Sequence, residues 1–161
     1  MYEKSLELLN TAIADELAAI HQYMYFHFRL DDLGYTPLAV LLKQTAIEEM
    51  QHAEMIAERI LFLKGEVELV VGREVEKIHD AQEMLRKADA LEQEAIAMYN
   101  RFAVECAANA DSGTKKLFED LVAAEEGHWD AFDRQSDNVK RFGESYLALQ
   151  SFQGDAGQPA E

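Results

Sequence analysis

Residues 16–23 read ELAAIHQY, and residues 92–99 read EQEAIAMY. Both fit E-x-x-A-I-x-x-Y, and a second pair repeats with them: EEMQHAE (48–54) and EEGH (125–128) share E-x-x-H. Glu16 and Glu92, Tyr23 and Tyr99, Glu49 and Glu125, and His52 and His128 all stand 76 positions apart. The offset also separates Glu92 from Glu94, which lies two residues further on and out of register. One isolated E-x-x-H in a helix requires no more than a hydrogen-bonded polar pair tolerated near the surface. One offset kept at four positions means that a helical hairpin occurs twice, with its polar intruders in the same places.

Around these residues the apolar positions step by three and four, the period of a helix with one buried face. Leu6, Leu9, Ile13, Glu16, Ile20, Tyr23, His27 and Leu30 predict a first helix over about 2–32, with Gly34 as its stop. Thr36 and Pro37 predict the N-cap and first position of a second helix. Its stripe of Leu38, Leu42, Thr45, Glu49, His52, Ile56 and Leu63 runs to about Lys64. Residues 65–79, GEVELVVGREVEKIH, carry no stripe and predict a long crossover. Asp80 with Glu83 resembles a capping box. It opens a third helix whose buried face holds Leu85, Ala88, Glu92, Ala95, Tyr99, Phe102 and Cys106. NADSG (109–113) interrupts, and Phe118, Leu121, Glu125, His128 and Phe132 mark a fourth helix to about Val139. A short fifth helix, about 144–151, follows Gly143. The expected architecture is all-α: a four-helix bundle over 1–151 with a long crossover between its halves and a short C-terminal fifth helix, then a disordered tail over 152–161.

Composition agrees. A chain of 161 residues suits one domain. Its two prolines, Pro37 and Pro159, leave a long proline-free interval for helices. The formal charge of -16 argues against nucleic acid as a partner and fits a surface or cavity that attracts cations. The single cysteine, Cys106, excludes a disulfide framework and cysteine-rich metal motifs. The start, MYEKSLELLN, has neither a basic nor an apolar region of a secretory signal, and no apolar run is long enough for a membrane span. The expected compartment is the cytoplasm, with no membrane partner.

In such a bundle Glu16, Glu49, Glu92, Glu125, His52 and His128 reach one level. An ionised, unpaired carboxylate in an apolar core costs on the order of several kcal/mol. The four are therefore protonated or paired with cations, and no Lys or Arg lies on the stripes at this level. Two divalent metals would balance four negative charges. Carboxylates with two imidazoles and no thiolate suit iron or manganese. Tyr23 and Tyr99, two turns beyond Glu16 and Glu92, read either as hydrogen-bond donors to the ligands or as core aromatics with satisfied hydroxyls.

With DELAAIHQY, IEEMQHAE followed by ERILFLKG, EMLRKADALE, EEGHWD and the ending FGESYLALQ, the sequence resembles the bacterioferritins, the heme-containing branch of the ferritins, over residues 1–151. The six polar residues match the known ligand pattern of ferritin-like di-iron bundles. The resemblance implies a ferritin-like fold and a ferroxidase that oxidises Fe(II) with O2 or H2O2 at a di-iron centre. The ferric mineral would collect inside a hollow homo-oligomeric shell of twenty-four subunits, built from two-fold dimers that share a heme. It implies Glu16, Glu49, His52, Glu92, Glu125 and His128 as iron ligands, Glu49 and Glu125 as bridges, and Tyr23 in the catalytic set. It implies Met50 as the heme ligand and a ferredoxin-type reductant.

The residues support Met50 in part. It points about 100° from the core stripe, on a face with Ala46, Ala53 and Ala57, and the first helix has a second apolar face of Leu17, Met24 and Phe28. Two such faces would make a dimer interface with a flat slot, although a methionine at an interface also serves simply as packing. There are departures. Gln44 and Glu48 stand where some bacterioferritins carry a His and an Asp for an accessory iron site, and Gln44 is a poor iron ligand. His27 reads as a core or interface histidine, His21 as lining the dimer or heme pocket, Trp129 as an electron relay or packing, and Cys106 as a small buried hydrophobe. A rubrerythrin-like di-iron oxidase or peroxidase that stores no mineral is the alternative, but rubrerythrins usually carry a four-cysteine iron domain. A DNA-protecting cage is disfavoured by the charge and the intra-chain motif, and a non-catalytic bundle by the 76-residue offset.

Overall fold

Two long helical hairpins build the molecule. In the computed structural model, which describes residues 1–155, α1 (Glu3–Asp32) returns on α2 (Thr36–Phe62), and α3 (Ala81–Ala108) returns on α4 (Ser112–Phe142). A short α5 (Glu144–Asp155) closes the chain against α2 and α4. The bundle is the expected all-α architecture. α5 runs four residues beyond the expected end at 151, since no strong helix breaker occurs before Gly154. The rest of the expected tail, 156–161, lies outside the described residues.

The tight turn of the first hairpin follows from Gly34. Its φ of 81° is the left-handed conformation in which the Gly34 and Tyr35 amides reach back to the carbonyls of Asp31 and Leu30, at 2.9 Å each. This closure fixes Tyr35 as the N-cap of α2, its carbonyl accepting from Ala39 N–H, and Thr36 falls inside the first turn instead of capping it. α3 and α4 start as capping chemistry requires: Asp80 accepts from the Glu83 amide, and Asp111 accepts from the Thr114 amide. Arg59 of α2 also reaches Asp111 at 2.8 Å, which ties the two hairpins together at that end.

The crossover between Phe62 and Ala81 has no helix of its own. It lies against α1, held at three points along it. Asn10 donates to the Glu66 carbonyl and accepts from the Glu68 amide. The Gly72 amide donates to the Ala14 carbonyl. Gln22 donates to the Glu76 carbonyl and accepts from its amide. Side-chain amides suit this task because each offers both a donor and an acceptor to an irregular backbone.

The apolar core divides into two clusters. Leu9, Ile13, Ile56, Ile60, Phe102 and Phe118 belong to one, and Phe26, Leu30, Leu38, Leu42, Leu85 and Phe132 to the other. Along each of the four helices the charged intruders fall between the two. Among the described residues, no helix is long and apolar enough to cross a membrane.

Candidate metal centre

The level between the two apolar clusters holds Glu16, Glu49, His52, Glu92, Glu125 and His128, none more than 8% exposed. One comes from α1 and one from α3; α2 and α4 each supply an E-x-x-H pair, whose members share a helix face at that spacing. The side chains form two overlapping groups. Glu16, Glu49, His52 and Glu125 make one, Glu49, Glu92, Glu125 and His128 the other, with ligand atoms within 4.8 Å of one another in each. Glu49 and Glu125 are common to both.

His52 Nδ1 lies 2.8 Å from Glu49 Oε2, 3.2 Å from Glu125 Oε1 and 3.6 Å from Glu16 Oε1. None of these approaches has the direction of a hydrogen bond, so the ring nitrogen aims between the oxygens; Glu49 Oε2 and Glu92 Oε2 are also without hydrogen-bond partners. Buried polar atoms are rarely left so. A convergent set of oxygens and a ring nitrogen, short of partners and free of Lys and Arg, is what a pair of hard or borderline divalent ions requires.

Burial and crowding of like charges favour the protonated forms of buried carboxyls. Burial pushes the carboxyls of Glu16 and Glu92 well above the usual range, and the neighbouring charge of Glu49 adds to it. Burial also opposes a charged imidazole at His52, but its contacts with Glu125, Glu16 and Glu49 outweigh that and raise it to about 12. His128 is raised in the same way. Burial disfavours the Glu125 carboxylate, yet the hydrogen bond from His128 and the close approach of the His52 ring hold it down at about 2.

The two tyrosines cross between the hairpins. Tyr23 of α1 donates to Glu92 of α3, and Tyr99 of α3 donates to Glu16 of α1. Burial raises both phenols well above their ordinary value, so they remain donors. The spacing along each helix places the tyrosines at the right depth but conceals that each serves the other hairpin. Glu48, read in the sequence only at the position of an accessory iron site, also accepts from His128 Nε2 at 2.7 Å. With a proton fixed on Nε2, it is Nδ1 that faces the cluster and offers a lone pair once its own proton is given up. The spacing of Glu48 and His128 gives no sign of this, since α2 and α4 meet only in the fold.

Met50 lies outside the cluster. It is 47% exposed, with Ile47 beside it on α2 and Phe28 exposed on α1. Ala46, expected on the same face, is instead buried in the chain's own core. His27 Nδ1 donates to the Ala39 carbonyl at 2.7 Å, His21 is exposed, and Cys106 is buried beside Ser5.

Comparison with known proteins gives one family. The model of the ferritin-like domain matches residues 6–142. The chain is 39% identical over 152 residues to a bacterioferritin of Desulfovibrio desulfuricans, covering 90% of this chain and 81% of that one. It is 37% identical over 147 residues to a bacterioferritin of Rhodobacter capsulatus, covering 91% of each. An X-ray structure of the D. desulfuricans bacterioferritin, with its diiron site in a reduced and reoxidised state, superposes with a TM-score of 0.89 at 35% identity. That superposition covers 97% of this chain and 88% of that one.

Proposed function

The chain belongs to the bacterioferritins, the homo-oligomeric iron-storing ferroxidases of the ferritin family, and on that premise we propose which residues do the work. Glu16, Glu49, His52 and Glu125 receive one Fe(II), and Glu49, Glu92, Glu125 and His128 the other. Glu49 and Glu125 bridge the pair. The observation that carries this reading is the sharing of those two carboxylates by two buried four-residue groups.

Fe(II) is the substrate: each ion gives up one electron, and O2 or H2O2 accepts the pair. The chain's part is to bind, orient and exclude water. The anionic oxygens favour the higher charge of Fe(III). Tyr23 and Tyr99 hold Glu92 and Glu16 in place, and Glu48 orients the His128 ring. His52 and His128 give up their protons as the ions arrive, because a ligating imidazole is neutral.

Met50 is proposed as the heme ligand. Its side chain stands exposed on an apolar face, where Met50 would hold the heme at a contact between two copies of the chain. The same proposal includes a shell of twenty-four subunits, a ferredoxin-type electron donor and a cytoplasmic location, all on the strength of the family alone.

The test is a large excess of Fe(II) added in air, followed by size separation with iron and protein recorded together. Iron eluting with a very large particle, at many ions per chain, is the expected outcome. Iron that stays at about two per chain on a dimer-sized species would mean a rubrerythrin-like oxidase, a reading that the bacterioferritin relatives do not favour.

A further inference from the structure

The crossover does more than connect the hairpins. At Gly72 its backbone comes so close to α1 that a Cβ would lie 2.9 Å from the Ala14 carbonyl oxygen, a contact only glycine avoids. This sets the next residue, Arg73, over the seam between α1 and α3. Its guanidinium spans that seam, with Nη2 2.6 Å from Asp15 Oδ1 and Nη1 2.8 Å from Glu94 Oε2.

Beneath it lies a narrow void of about 10 Å³, room for roughly one water. Arg73 and Asp15 share its lining with Glu16, Glu49, Glu92 and Glu125. The void persists because Ala19 and Ala95, the paired alanines of the repeat, put only methyl groups there. Glu49 Oε2 and Glu92 Oε2, without hydrogen-bond partners, belong to side chains that border this space.

We infer that Arg73 is a displaceable plug, and that Asp15 and Glu94 are the first binding position of a divalent cation that enters the cluster from the α1/α3 side. The inference rests on the reading of the cluster as an iron site. One guanidinium between two carboxylates leaves the mouth with a net negative charge; a divalent ion neutralises the pair fully. The Arg73 side chain is 39% exposed and attached to an irregular strap, so it can swing into water without disturbing a helix. Four further carboxylates behind the mouth draw the ion inward. The competing route is on the opposite side, where a groove of about 370 Å³ between α2 and α4 is bordered by Glu48 and His128.

Co(II), which binds without being oxidised by air, tests this through its visible absorption as it reaches the cluster. In stopped-flow mixing, Arg73→Gln should raise the rate of Co(II) arrival by about tenfold, with the final amplitude unchanged because Arg73 is not a ligand. Asp15→Asn should slow arrival by a similar factor, and Glu94→Gln, at a largely exposed position, repeats the test should the partly buried Asp15 substitution impair folding. Parent-like rates in all three variants would overturn the plug and direct the ion to the α2/α4 groove. A parent protein that takes up no Co(II) at all would overturn the metal site itself.

Discussion

Tyr23 and Glu92 stand 69 positions apart and belong to different hairpins, yet a buried hydrogen bond joins them. Tyr99 and Glu16 repeat the arrangement in the opposite sense. The two bonds cross the seam between α1 and α3, so each half of the chain positions a carboxylate of the other.

Tyr23→Phe removes one of these donors while keeping the ring in the core. Losing such a buried bond costs about 1–3 kcal/mol, and the urea midpoint of the metal-free protein should fall accordingly. Fe(II) oxidation should slow but persist, because the six clustered side chains remain. A midpoint equal to that of the parent would show that the phenol contributes only packing.

The shared carboxylates separate one-ion from two-ion defects. Glu92→Ala removes a ligand from one group, and Glu125→Ala removes one from both. Both variants should lose rapid Fe(II) oxidation while circular dichroism reports an intact bundle. Anaerobic Co(II) titration should find one ion retained in Glu92→Ala and both weakened in Glu125→Ala. Parent-like oxidation in either variant would remove that residue from the site.

Met50→Leu keeps the apolar volume and removes the sulfur. The purified protein should lack the Soret absorption of heme and should still oxidise Fe(II), because Met50 lies apart from the six-residue cluster. A full heme complement in this variant would exclude Met50 as the axial ligand.

Protonation gives the metal-free bundle an unusual pH response. Glu16, Glu92, His52 and His128 all have values raised in the folded state. Their stabilising contribution is complete below the ordinary values of 4.5 and 6.5 and is lost as pH rises toward the folded ones. Glu125 acts oppositely: its contribution is present above 4.5 and is lost as pH falls through about 2. The urea midpoint should therefore drop between about pH 6 and about pH 9, and saturating Co(II) should abolish the drop by replacing the protons. Anaerobic metal binding in weak buffer should release protons into solution. A midpoint that rises over this range would contradict the protonated cluster.

Much of this was legible in the sequence because it rests on local period. The stripes of α2, α3 and α4 are buried at every predicted position, and the 76-residue offset found all six side chains that the fold brings together. What escaped depends on relations that periodicity does not encode. Phe26 and Leu8 are buried beside the predicted stripe of α1, since a helix gripped by both a partner and a crossover buries more than one line of residues. Ala46 turns inward where a dimer face was expected. Thr36 does not cap, because the Tyr35 carbonyl already accepts the first helical bond, from the Ala39 amide, and places Thr36 inside the first turn. The contacts of Glu48 with His128, and of Arg73 with Asp15 and Glu94, join elements far apart in the chain, one of them a segment with no repeating pattern.

Neither hairpin contains a complete four-residue group. Each group draws on both halves, through Glu49 from one and Glu125 from the other. A single hairpin bearing one E-x-x-A-I-x-x-Y and one E-x-x-H would be inert alone, yet two identical copies meeting about a two-fold axis would assemble both positions at once. The present chain has the organisation of such a pair fused head to tail. Fusion frees each half to diverge, and the crossover that joins them, having no counterpart within a hairpin, is where a feature belonging to one side only, such as Arg73, could arise.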